Sequence, residues 1–308
     1  MSAPALFSHP ALLYHGEREY LAGTLPFVRS GLEVGEPVAI AVPGRRLALL
    51  RARLGAAAGL VRFVDMSVAG RNPGRIIPGV LRRFVDAYPG RRVRIIGEPI
   101  WRGRSATEYP ACAQHEALIN VAFAGRAVTI LCPYDAAELD RRTLADAALT
   151  HPALIERGVE RVSPDFDPEK VIEVYNDLGP EPVDTVALEF GADGLGEVRT
   201  FAMAEAALRG LGGDRLLDLE LAVNELAANS IVHGGGGGTL RVWSRPGHVV
   251  CEVSDSGRLA DPLAGRRPVG PNAHGGRGLL LVNQVADLVR ISRAAEGTRV
   301  QAHFALDR

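Results

Sequence analysis

At 308 residues and 47% apolar content, the chain can form two ordinary domains, each with its own core. Its 35 basic and 36 acidic residues leave a formal charge of -1, which excludes an overall field drawing it to nucleic acid or to an anionic membrane. Cys112, Cys132 and Cys251 are odd in number, widely spaced and without a CxxC pair, so a disulfide scaffold is excluded and free thiols in a reducing cytoplasm are expected. No apolar run approaches the roughly 20 residues that span a bilayer. The opening residues also lack a basic stretch followed by an apolar core, so a soluble cytoplasmic protein is expected.

In chain order, four short apolar runs, 37–42, 60–66, 92–97 and 127–132, predict strands covered on both faces. Between them, 45–54, 73–88 and 106–124 repeat apolar residues at three and four positions and predict returning helices. The pattern is that of a doubly wound α/β domain with a parallel sheet, whose ligands gather at the carboxyl ends of strands. Those ends lead into Gly97-Glu98-Pro99-Ile100-Trp101 and Cys132-Pro133-Tyr134-Asp135. Prolines at 152, 164, 168, 180 and 182 punctuate a connection, which places the domain boundary near 162/163. A helix over 168–176 fits either side of it. The second half predicts a strand over 185–190 and a helix over 198–209. A longer helix capped by Asp214 then runs to about His233. Strands over 239–244, 248–254, 288–292 and 298–306 and a helix over 278–285 complete an α/β sandwich.

The chemistry lies in that second half. Glu225 and Asn229 are four apart and share one helix face. Magnesium prefers oxygen ligands and keeps several waters, so an asparagine carbonyl beside nucleotide phosphates suits it. A glutamate one turn earlier suits a general base. The same spacing also fits a solvated helix face. Three further signals, in fixed order along the chain, weigh toward the nucleotide reading over a degenerate, non-binding copy: Asp255-Ser256-Gly257 ends an apolar strand, Gly275-Gly276-Arg277-Gly278 opens a helix, and Gly297-Thr298 enters the last strand. Such an aspartate can accept a hydrogen bond from an adenine amino group. Glycines at a helix start let backbone amides face phosphates.

This ExxxN, DxG, GxG and GT order resembles the GHKL ATPase superfamily, and the short form of the domain most resembles the anti-sigma-factor serine kinases. The resemblance implies a Bergerat-type sandwich over 163–308 that binds ATP with Mg. It implies Glu225 as general base, Asn229 as Mg ligand, Asp255 as adenine contact, and Gly257, Gly276, Gly278 and Thr298 as nucleotide contacts. Arg277 fits a phosphate contact or a solvated group. Residues 258–274 would be a lid, and Arg258-Leu259 depart from the DxGxG form. His233 fits a site wall or a helix end.

The first half has no GxxxxGK[ST] loop. His9-Pro-Ala-Leu-Leu-Tyr14, Asn72-Pro-Gly-Arg75, Gly97-Glu98-Pro-Ile-Trp101, Gln114-His115-Glu116 and Cys132-Pro-Tyr134-Asp135 resemble the MEDS sensory domain. That implies a RecA-like sensor of small molecules over 1–162, with Glu98, Trp101, His115, Glu116, Cys132 and Tyr134 as pocket candidates. Each also fits a structural role, and Cys112 and Cys132 fit inert buried thiols better than metal ligands. Domain order then implies a switch: an ATP-dependent serine/threonine kinase acting on an anti-sigma antagonist, or a protein that sequesters a sigma factor, expected as a homodimer. A histidine kinase is the alternative, with His151 the sole phosphoacceptor candidate in the connection and Pro152 against it. The other alternative is a non-catalytic docking module.

Overall fold

The computed structural model describes residues 6–269 and 276–306. Two compact units divide the chain, Met1–Tyr175 and Asn176–Arg308.

The first unit opens with β1 (Phe7–Ser8) and β2 (Pro10–Tyr14). Phe7 pairs with Val128 and Ala11 with Cys132 in one register, so the two are a single strand interrupted at His9. Then come α1 (Gly16–Glu33), β3 (Val38–Val42), α2 (Gly44–Leu54) and β4 (Val61–Asp65). A short α3 (Met66–Ala69) is followed by a 3-10 turn at Pro73–Arg75, a π-helix at Ile76–Arg82 and α4 (Arg83–Val85). A single helix is expected over 73–88. Pro78 lacks the amide a regular ladder needs, and the chain takes wider turns there. The unit ends with β5 (Val93–Gly97), α5 (Tyr109–Ala122), β6 (Val128–Asp135), α6 (Arg141–Thr150), the hairpin β7 (Ala153–Glu156) and β8 (Val159–Val162), and α7 (Pro168–Val174).

Its sheet runs β4-β3-β5-β6-β2-β7-β8, parallel except for the last pair. The strand over 7–14 and the closing hairpin were not among the expected strands. β6 also continues through Pro133 to Asp135, where a loop is expected. β5 pairs only as far as Leu131, so the missing proline donor falls where β6 has one neighbour. The helix over 168–174 packs Val171 and Tyr175 on Ala113 and Ala117 of α5. This contact places it with the first unit, which ends at Tyr175 instead of near 162.

The second unit comprises β9 (Val186–Phe190), α8 (Leu195–Leu208), α9 (Gly213–His233), β10 (Gly238–Arg245), β11 (His248–Asp255), α10 (Gly278–Val285), β12 (Leu288–Ala294) and β13 (Gly297–Ala305). The sheet order is β12-β13-β11-β10-β9, with every pair antiparallel. α9 begins at Gly213 with no side-chain cap. Asp214 therefore sits inside the first turn, where its charge meets the helix dipole instead of capping it. Along α9, Leu219, Ala222, Val223, Leu226, Ala227 and Ser230 form the buried stripe, and its apolar members join Leu240, Val242, Val253 and Val300 of the sheet in one core. Burying each large side chain contributes about 1.5–3 kcal/mol. That stripe fixes the rotation of α9 and leaves Glu225 and Asn229 half-buried on its flank.

His303 on β13 is buried, and burial together with the cations Arg245, His248 and Arg290 pushes it down to about 3. The unfolded chain takes up this proton near pH 6.5, while the folded chain refuses it until far lower pH. Stability should therefore fall as pH drops below about 6.5, by up to about 1.4 kcal/mol per unit. Urea midpoints of the wild type and of His303→Gln at pH 7 and pH 5 check this. The variant is expected to lose less stability on acidification, and equal losses would remove His303 as the cause.

Candidate functional site

In the second unit, α9, the β11–β13 ends and the start of α10 enclose a cavity of about 940 Å³. This is the size that suits a nucleotide-sized ligand. Asn229, Ser230 and His233 of α9 line it, together with Asp255, Gly257, Gly276, Gly278 and Thr298. Val253, Leu226, Leu279 and Val300 make its apolar wall.

Asp255 ends β11, and both its carboxylate oxygens are engaged. Ser230 Oγ donates to one at 2.5 Å, and the Gly257 amide donates to the other at 2.8 Å. The carboxylate is thus preorganised, its lone pairs aimed by neighbours of known position. Thr298 donates to the Gly257 carbonyl at 2.7 Å and accepts from the Leu259 amide at 3.2 Å. Its hydroxyl therefore pins the turn after Asp255, where a direct nucleotide contact is expected. Gly297, at φ 151°, is required for this closure: a Cβ there would lie 2.0 Å from the Asp255 carbonyl oxygen.

The helix pair meets α10 at Gly278. A Cβ at that position would stand 2.9 Å from Glu225 Oε2 and 3.1 Å from Asn229 Nδ2. The two side chains thus converge on the backbone at the mouth of α10, as their spacing predicts. Asn229 lines the cavity, while Glu225 stands at its rim beside Gly278. Gly276 is left-handed, at φ 77°, and turns the chain into α10. Arg277 is the N-cap residue of that helix, with its side chain exposed and outside the lining. The expected lid over 258–274 and the first glycine of the run, Gly275, lie partly and wholly outside the described residues. Within the described part, Asp261, Leu263, Gly265, Arg267 and Val269 border the cavity. Ser230 is the site residue the sequence reading missed. It is the polar member of an otherwise apolar buried stripe, and that was its signal.

Residues 8–152 match the family described as MEDS, the methanogen/methylotroph, DcmR sensory domain, and residues 190–304 match the histidine kinase-like ATPase domain. The chain carries a MEDS domain followed by a histidine kinase-like ATPase domain. Among solved structures, the RsbU and RsbW domains of Rv1364c from Mycobacterium tuberculosis are similar over 42% of this chain at 20% identity, with a TM-score of 0.32. The similarity spans about a third, 34%, of that chain. No curated protein matches this chain in sequence.

In the MEDS domain, the six expected pocket residues do not form one pocket. Side chains alternate along strands, so the sheet separates them. On the α1–α2 face, Glu98 follows β5 and is buried near Tyr14, Tyr20, Arg46 and Asp135. Burial pushes Glu98 up to about 8, with Arg46 opposing and Asp135 reinforcing. Arg46 pairs with Asp135 at 2.9 Å and lies 4.5 Å from the Tyr20 ring centre. Glu98 Oε2 and both tyrosine hydroxyls are buried without a hydrogen-bond partner among the described residues. On the α5 face, Glu116 and Cys132 meet His9 and His151, with the Tyr134 ring 5.4 Å from that of His151. His115 is buried on α5 and engaged within the protein.

Trp101 belongs to neither group. The Arg104 guanidinium stacks 4.0 Å from its ring centre and donates to the carbonyls of Pro99, Gly70 and Arg71. The pair closes the loop after β5. His151, the phosphoacceptor candidate, is fully buried at the C-cap of α6.

Among the described residues, no helix is long and apolar enough to cross a membrane.

Proposed function

We propose that the ATPase domain binds ATP with Mg and serves a regulatory switch, either phosphorylating serine or threonine on an anti-sigma antagonist protein or sequestering a sigma factor, under control of the MEDS domain. The observation that carries the reading is the convergence of Glu225 and Asn229 on Gly278 at the mouth of a cavity that also holds a preorganised Asp255. Adenine would be read by Asp255, whose carboxylate can accept from an amino group. The Asn229 amide oxygen and the phosphates would hold Mg, which neutralises charge as it develops on the transferring group. Glu225, at the rim and not in the wall, would take a proton from a hydroxyl presented from outside. Gly278 keeps both side chains close to the backbone. Ser230 and Thr298 act as positioning residues, holding Asp255 and its turn.

For the MEDS half, the cluster of Glu98, Tyr14, Tyr20 and Arg46 supports a small polar ligand received at the strand ends, since its two buried hydroxyls and the Glu98 carboxyl can donate to and accept from it. A histidine kinase is the weaker reading, because phosphoryl transfer requires an accessible imidazole and His151 is enclosed. A homodimer is the expected assembly.

The test combines titration calorimetry with ATP and Mg and incubation with labelled ATP and purified antagonist proteins. Heat on binding is expected for the wild type. Asp255→Asn, which presents a donor where adenine requires an acceptor, is expected to weaken ATP at least about tenfold, a loss of about 1.4 kcal/mol, while leaving the fold intact. Absence of heat with the folded wild type would end the nucleotide reading. Nucleotide binding with neither transfer nor partner capture would leave the docking module.

A further inference from the structure

The α5 face of the MEDS domain holds four groups of metal-ligating chemistry, all buried: His9, Glu116, Cys132 and His151. They come from four elements, the break between β1 and β2, helix α5, strand β6 and the C-cap of α6. His9 Nε2 lies 3.2 Å from Glu116 Oε2 and 3.4 Å from Cys132 Sγ, and His151 Nε2 lies 3.3 Å from the same Glu116 oxygen. All four donor atoms lie within 4.8 Å of one another.

The outer partners set the tautomers. Asn120 donates its amide hydrogens to the Thr150 and Ala117 carbonyls, which turns Oδ1 toward His9 Nδ1 at 3.2 Å. His151 Nδ1 faces the Ala147 carbonyl at 2.8 Å, an oxygen that can only accept. Both Nδ1 atoms therefore carry the hydrogen, and each neutral imidazole turns its Nε2 lone pair inward. Two lone pairs, a carboxylate and a thiol converge with no donor among them but the thiol hydrogen. Among the described residues, His151 Nε2, which stands 3.3 Å from Glu116 Oε2, and Glu116 Oε1 have no hydrogen-bond partner. Converging acceptors repel unless a positive charge lies between them. One imidazolium would balance the carboxylate but leave the other Nε2 lone pair facing it, and two would bury a net positive cluster, which is costly.

A divalent ion satisfies all four. Tetrahedral zinc, with bonds of about 2.0–2.3 Å, sets its ligand atoms about 3.3–3.6 Å apart, close to the contacts observed. Metal-bound histidines carry their other nitrogen on a carbonyl or amide oxygen, as Ala147 and Asn120 provide. Two nitrogens, one sulfur and one oxygen form a borderline set that selects zinc-like first-row ions over magnesium or calcium.

We propose that His9, Glu116, Cys132 and His151 bind one divalent transition-metal ion of zinc type in the MEDS domain. The thiol proton leaves to solvent as the Cys132–metal bond forms, while the carboxylate and neutral imidazoles bind as they stand. Four protein ligands fill a tetrahedral shell, so the ion ties the first strand, α5, β6 and α6 together instead of offering an open position for catalysis.

The test uses the full chain, stripped with a chelator and titrated with Co(II), with zinc content measured on protein purified from zinc-supplemented cells. About one zinc per chain and a thiolate-to-cobalt absorption band displaced by zinc are expected. Cys132→Ser should lose the band and Cys251→Ala should keep it. Asn120→Ala, which keeps all four ligands, should weaken binding about 10–100-fold. The proposal is overturned if the folded wild type holds less than about a tenth of an equivalent of metal and shows no thiolate band, or if Cys132→Ser leaves the band unchanged. Nucleotide heats belong to the other domain, so this result stands apart from the switch reading.

Discussion

Gly297→Ala should cost the ATPase domain at least about 3 kcal/mol and abolish its nucleotide binding with it. Two independent penalties meet at this position. The backbone φ of 151° is a conformation that side-chain-bearing residues rarely adopt, and the new Cβ would stand 2.0 Å from the Asp255 carbonyl oxygen. That oxygen is backbone, so no rotamer change can relieve the clash. β13 must part from β11 at the Asp255–Thr298 pair, or the Asp255 turn must move. Either response breaks the Thr298 bridge to Gly257 and Leu259 that holds the Asp255 end of the cavity. Denaturant unfolding read at the transition of the ATPase domain checks the energy. Gly196→Ala on α8 is the control, since nothing lies within 4 Å of its added Cβ and helix propensity favours alanine. A loss below about 1 kcal/mol at Gly297 would show that the strand ends can separate freely, and the role given to the turn would fall.

Glu225→Gln carries the second large effect. Phosphoryl transfer to an antagonist protein is expected to drop about 10²–10⁴-fold, the range a general base contributes, while affinity for ATP with Mg changes less than about threefold. The separation follows from position: Glu225 stands at the rim beside Gly278, whereas Asn229 lines the wall. Asn229→Ala should therefore show the opposite profile, losing Mg-dependent binding first. Single-turnover transfer alongside calorimetry separates the two. Equal losses of affinity and transfer in Glu225→Gln would assign that carboxylate to holding nucleotide, and an unchanged transfer rate would remove it from the chemistry.

The candidate nucleotide site was largely legible in the sequence because its parts are local. A four-residue spacing on a helix, an aspartate at a strand end and glycines at a helix start each keep their meaning whatever the surroundings. Thr298 was legible as a member, but its partners were not, because the Gly257 carbonyl and Leu259 amide are about forty residues away and reach it only through the pairing of β11 with β13. Ser230 escaped for the same reason.

The MEDS domain was legible as a parallel α/β unit and much less so as a site. Its first strand was read as a motif and not as a strand, and the alternation that separates Glu98 from Cys132 acts only once strand directions and register are set. Glu116 and Cys132 were candidates from the outset, yet His9 stood only as part of a motif and His151 only as a phosphoacceptor candidate. Their sequence separations from Glu116 exceed any helical or strand period, so no local rule could join them. Composition and local periodicity by themselves determined two α/β domains, the covered strands and the helix face that carries Glu225 and Asn229. Which side of a sheet each polar residue faces, and which distant residues meet there, was decided by strand register and helix packing, because those depend on burying whole elements against one another.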